Sequence, residues 1–134
     1  MAGLFALLAL LVVPVFPHFV SPNEMSRWVL AAALVEGGTP EVTAPAAVLG
    51  PRMEDVAQVD GRLYSNKAPG TAFVALPGYL AARPFSGPPS AASLRPSVTA
   101  MRLFGATLPV LLLAFVFARL APVDGRNEAL FALL

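Results

Sequence analysis

The stretch Leu103–Ala118 reads LFGATLPVLLLAFVFA, carries no charge, and is bracketed by Arg102 and Arg119. It is slightly short beside the ~17–25 apolar residues that usually cross a bilayer. The long stems of the flanking arginines can snorkel outward and extend its reach. A second uncharged run, Ala2–Val20, reads AGLFALLALLVVPVFPHFV. As a helix it would rise about 28 Å, against a hydrocarbon core of about 30 Å. Together the two runs predict an all-α membrane protein with transmembrane helices over 2–20 and 102–119.

Composition agrees with that class. Soluble domains carry about 25% charged residues, whereas this chain of 134 residues has 13% charged and 57% hydrophobic, with a mean hydropathy of +0.71. Nine Lys and Arg against eight Asp and Glu leave a net charge of +1, so there is no basic surface for nucleic acid and no such partner is expected. The absence of cysteine removes disulfides, thiolate metal sites and thiol nucleophiles together. The single histidine, His18, lies beside Pro17 at the end of the first run and reads as an interfacial residue without a role. A cleavable signal peptide needs a basic start and a small-residue cleavage site. Here the first cation is Arg27 and no A-x-A follows the run, so the first span is expected to be retained, kinked or ended by Pro14 and Pro17.

Between the spans lies a large loop, residues 21–101. Ser21 can cap a helix with Pro22 at its first position, and the helix predicted over about 22–36 stops at Gly37-Gly38. Met25, Trp28, Val29, Ala32 and Val35 share one of its faces, and Trp28 suits a helix lying at the headgroup level. TPEVTAPAAVLGP, with three prolines, reads as an irregular loop. Asp60-Gly61 between two short alternating pieces predicts a tight hairpin. TAFVALPGYLAA is too short to cross, so an interfacial or re-entrant helix is expected over about 70–82. RPFSGPPSAASLRPS reads as another loop. Of the eight acids, all but Asp124 and Glu128 fall in the large loop, and the positive-inside rule then places residues 21–101 outside. The closing NEALFALL, a helix over 127–134 too short to span, reads as the start of a third span in a longer membrane protein. The bilayer and the remaining helices of that parent are the expected partners.

Four loop residues could carry chemistry: Glu24, Tyr64, Lys67 and Arg102. A carboxylate just outside one span and cations on the way to the next could face each other across a cleft. Chemistry on a lipid-linked phosphate needs such a set, a base toward an acceptor hydroxyl and cations for the phosphate leaving group. Each residue also has a plainer reading. Ser21-x-x-Glu24 matches the capping box, in which Glu24 bonds back to the cap amide, or Glu24 pairs with Arg27 one turn on. Lys67 reads equally as a solvated loop lysine, Tyr64 as an interface aromatic and Arg102 as a snorkelling anchor.

The ordered segments SPNEMSRWVLAAALVEGGTP, VDGRLYSNKAPGTAFVALPGYL and MRLFGATLPVLLLAFVFARL resemble the N-terminal part of integral membrane glycosyltransferases of the GT-C superfamily. The style is that of bacterial relatives of protein mannosyltransferases and lipid A aminoarabinose transferases. The resemblance covers residues 1–134 as the first part of such an enzyme. It implies transfer of a sugar from a polyprenyl-phosphate donor to a hydroxyl acceptor, with inversion, at the outer face of a bacterial inner membrane. Where that family has Asp-Glu after the first span, this chain has Asn23-Glu24, so Glu24 would be the base and Asn23 at most orients the acceptor. Its Tyr-x-x-Lys-Pro-Pro motif corresponds to YSNKAPG, with Tyr64 and with Lys67 toward the donor phosphate, although Ala68 replaces the first proline. Arg102 corresponds to an arginine at the start of the second span. No cofactor is implied. A divalent metal stays an open question, because one carboxylate is too little to hold a hard cation firmly. Two other classes fit the same residues: a small membrane protein that binds or scaffolds partners, and a degenerate, inactive remnant.

Overall fold

The computed structural model describes Leu7 and residues 19–120. The expected first span, His18 and the helix expected over 127–134 therefore lie outside the described residues, apart from Leu7, Phe19 and Val20.

Helix α1, Pro22–Gly37, begins as its sequence dictates. The Ser21 hydroxyl accepts from Glu24 N at 3.4 Å, Pro22 occupies a first-turn position where a missing N–H costs nothing, and Gly38 closes the helix at φ 62°. Of the expected apolar face, Trp28, Val29 and Ala32 are buried, while Met25 and Val35 pack against that core. Trp28 departs from expectation. It is 1% exposed, its Nε1 donates to Ser97 Oγ at 2.8 Å, and Phe19 and Tyr79 meet it edge-on. An indole gains as much from a packed core with one hydrogen-bond acceptor as from a headgroup layer, and here the core takes it.

TPEVTAPAAVLGP is not irregular. It contains helix α2, Thr43–Leu49, followed by a 3-10 turn at Gly50–Arg52. Pro45 falls in the first turn of α2, where its lack of an N–H breaks no helical bond. The expected hairpin forms from β1, Val56–Val59, and β2, Arg62–Ser65, paired antiparallel from Val56↔Ser65 to Val59↔Arg62. Asp60 and Gly61 take φ 49° and 79°, the two left-handed positions of a two-residue hairpin turn. Val42 N donates to Leu63 O at 2.8 Å, which ties the start of α2 to the hairpin.

Helix α3, Gly70–Ser86, runs further than expected and contains Pro77 and Pro84. Its inward face is small, with Ala72, Ala75, Gly78 and Ala82 buried around Tyr79. Its outward face exposes Phe73, Val74, Leu80 and Phe85. Nor is the following Pro/Ser stretch all loop. A capping box of Ser90 with Ser93 starts helix α4, Ala91–Arg102, which passes through a π-turn, Leu103–Thr107, into α5, Leu108–Leu120. The helix that carries the expected second span thus begins at Ala91 rather than Arg102. Ala91–Phe117 is the one helix among the described residues long and apolar enough to cross a membrane, and 17% of its most apolar window is buried.

The wide turn has local causes. Pro109 lacks an N–H, and its ring would collide with the carbonyl four residues back, at Gly105. Gly105 also lies against α3, where a Cβ would come within 2.7 Å of Ala75 Cβ. One turn earlier the helices are closer still, since a Cβ on Gly78 would stand 2.3 Å from Ala100 O.

Candidate functional site

The α3–α4 crossing and the start of α1 meet at a charged cleft of about 110 Å³. Glu24, Arg27 and Trp28 form its α1 wall, Ala75 comes from α3, and Arg102 and Gly105 come from the chain that leads into α5. Glu24 stands in the first turn of α1, where the helix dipole favours a negative charge. Its Oε2 accepts from Val20 N at 2.8 Å. That bond goes one residue further back than the capping box predicts.

Arg102 supplies the rest of the carboxylate's coordination. Its Nε donates to Oε1 at 2.5 Å and its Nη2 to Oε2 at 2.8 Å, a two-point fork that matches guanidinium to carboxylate. The Arg102 side chain is 7% exposed and that of Glu24 20%, so the pair is largely withdrawn from water. The alternative pairing of Glu24 with Arg27 does not form. Arg27 lines the cleft with its Nε buried and without a hydrogen-bond partner, a condition that costs roughly 1–3 kcal/mol for a buried donor. The spacing that places Arg27 one turn beyond Glu24 was a signal for its position. Nothing in the sequence said that Arg102 would displace it.

The other expected residues lie elsewhere. Asn23 is exposed and, like Tyr64 and Lys67, is not part of the cleft wall. Tyr64 sits on β2 opposite Ala57, bridged on its other side to Glu41. Lys67 is engaged: its Nζ lies 3.2 Å from Asp55 Oδ1, and its N donates to Ser65 Oγ at 3.3 Å. Buried Ser26 joins this group to α1. Its hydroxyl donates to Asp55 O at 2.8 Å, so it accepts from Ser65 Oγ at 2.6 Å. Nothing local in the sequence distinguishes Asp55 or Ser26 from ordinary loop and helix positions.

A second charged group lies at the other end of α1. Arg83 Nε and Nη2 donate to the two oxygens of Glu36, at 2.5 and 2.8 Å, and Tyr79 Oη donates to Oε1 at 3.1 Å. The Arg83 hydrogen bond holds the Glu36 carboxyl below its ordinary value. Burial, with the neighbouring Glu36 charge, pushes the Tyr79 hydroxyl well above its own. This group fastens α1 to α3 and is not part of the cleft wall. Among the described residues no cluster of three or more His, Cys, Asp or Glu side chains is placed to hold a metal ion. No family model, curated protein or solved structure matches this chain.

Proposed function

We infer that this chain furnishes part of the active site of a GT-C-type membrane glycosyltransferase. The enzyme transfers a sugar from a polyprenyl-phosphate donor to a hydroxyl acceptor on the outer face of a bacterial inner membrane. In this reading 2–20 and 102–119 are the two spans, and residues 21–101, including most of α4, are extracytoplasmic. One observation carries it. Glu24, the first charge after the apolar start of the chain, shares a cleft with Arg102, where the apolar α5 helix is about to begin.

The chemistry follows from the two groups. A Glu24 oxygen accepts the proton of the acceptor hydroxyl, the acceptor oxygen bonds to the anomeric carbon, and the bond from that carbon to the phosphate oxygen breaks. The electron pair leaves on polyprenyl phosphate, whose charge the arginines offset. A cleft of about 110 Å³ is small beside the ~300–1,000 Å³ of ligand sites. It has room for a phosphate, and in this reading further helices of the parent enclose the sugar and the acceptor. Transfer measured in the full-length enzyme tests the reading. Glu24→Gln should lower the rate by about 10²–10⁴-fold, and an unchanged rate in a normally folded variant removes Glu24 from the role of base.

A non-enzymatic membrane protein that scaffolds partners, or an inactive remnant, is the competing reading. What favours it is the saturation of the Glu24 carboxylate, whose two oxygens already accept three hydrogen bonds. In that case the pair is only a staple between α1 and α4.

A further inference from the structure

We propose that the cleft binds the phosphate group of a phosphate ester by exchange. Arg27 receives the phosphate, and Arg102 turns from Glu24 to join it, so that ligand binding and release of the Glu24 carboxylate are one event. The proposal deepens the glycosyltransferase reading, and rests on it only for the natural source of the phosphate. It also moves the phosphate-binding role from Lys67 to Arg27.

Three features of the cleft support it. Arg27 lines the cleft and has a buried Nε that nothing accepts from, whereas Lys67 is occupied by Asp55 outside it. A guanidinium offers five donors in a planar fork suited to phosphate oxygens, so the unmet donor of Arg27 and the fork of Arg102 define a two-cation receptor. Glu24 competes for the same fork. A phosphate monoester, with more charge and one more terminal oxygen than a carboxylate, is the ligand class able to draw Arg102 away while satisfying Arg27. The rest of the wall is apolar: Trp28, Ala75, Val98 and Met101 would lie along the first carbons of an alkyl phosphate and favour it over the free ion.

Exchange also answers the objection from saturation. While the cleft is empty, Glu24 is held by Arg102 and accepts no proton from a hydroxyl. Once a phosphate engages Arg102, the carboxylate keeps the Val20 amide and regains an oxygen. A sugar-linked phosphodiester carries one charge and two terminal oxygens, so it makes this exchange only by engaging Arg27 and Arg102 together, and the base is released only when the donor is held by both.

Trp28 is the only tryptophan in the chain and part of the cleft wall, so its fluorescence reports occupancy. The 134-residue chain in neutral detergent would be titrated with dodecyl phosphate and, in parallel, with inorganic phosphate. Arginine Nε–H signals would be followed by NMR. We expect a saturable Trp28 response, roughly tenfold weaker binding in Arg27→Gln and partial retention in Arg27→Lys. We expect about tenfold tighter binding in Glu24→Gln, and movement of the Nε–H signals of both Arg27 and Arg102 in wild type. Tighter binding of dodecyl phosphate assigns a lipid source, and equal binding of inorganic phosphate assigns a free one; either supports the site. Binding that is absent in wild type, that is unaltered in both Arg27 variants, or that leaves the Arg102 signal unmoved overturns the proposal. Loss of transfer in Glu24→Gln without phosphate binding here would leave the glycosyltransferase reading standing alone, and the converse would leave only the site.

Discussion

Arg102 reaches back across 78 residues of sequence to hold both oxygens of Glu24, and so fixes the start of α1 against the end of α4. Because the pair is largely buried, taking away one partner is worse than taking away both. Arg102→Met leaves an uncompensated carboxylate and should destabilise the fold by about 3 kcal/mol. Adding Glu24→Gln should recover part of that loss. Thermal unfolding of the single and double variants in detergent measures the coupling.

At Gly78 the backbone of α3 packs directly on that of α4. Gly78→Ala places its methyl group on the Ala100 peptide, which is backbone and cannot rotate away, so a loss of about 1–3 kcal/mol is expected. Gly61→Ala meets no atom within 4 Å but strains a left-handed turn, and should cost only about 1 kcal/mol. Unfolding midpoints of the two variants should rank in that order.

Much of this frame is legible in the sequence, and the failures have physical causes. Ser21, Pro22 and the Gly37-Gly38 pair bound α1 through local capping, and Asp60-Gly61 supplies the two left-handed positions of the hairpin turn. The prolines misled at α2 and α4. Pro45 sits in a first turn where it breaks nothing, and at Pro96 the neighbouring Ser97 hydroxyl donates to Ser93 O at 2.6 Å, within a helix that reads as a loop. Glu24 and Arg102 are both recognisable as candidates, but their pairing is a tertiary fact. So are the capture of Lys67 by Asp55 and the burial of Trp28, since an aromatic residue looks the same in a sequence whether it faces headgroups or a core.

Stability should fall with acid through Glu36. Its carboxyl titrates below the ordinary value of 4.5 in the folded chain, so its contribution is complete above that value and is lost as pH drops through the lower, folded one. Tyr79 behaves in the opposite sense. Its folded hydroxyl ionises above the ordinary value of 10.0, so its contribution is present below that pH and declines as pH rises beyond it. Unfolding followed from about pH 7 down to about pH 3 should show a smaller acid-induced loss in Glu36→Gln than in wild type. An identical loss would place the acid sensitivity elsewhere.

The orientation can be read by labelling, because the chain has no cysteine of its own. A single cysteine at exposed Asn66 should react with a membrane-impermeant maleimide added outside intact cells. One at Arg119, beyond the apolar part of α5, should react only after the cells are opened. Equal reaction of both from outside would mean that α5 does not cross.

The catalytic and the stapling accounts of Glu24 part most sharply in a paired sugar-transfer assay on the full-length protein, comparing Glu24→Gln with Glu36→Gln. Both substitutions remove a carboxylate held by an arginine, but only Glu24 faces the cleft. With rates normalised to the folded fraction, Glu24→Gln should fall about 10²–10⁴-fold while Glu36→Gln stays near wild type. If the two variants instead retain equal activity per folded molecule, Glu24 is a staple and the proposed mechanism is wrong.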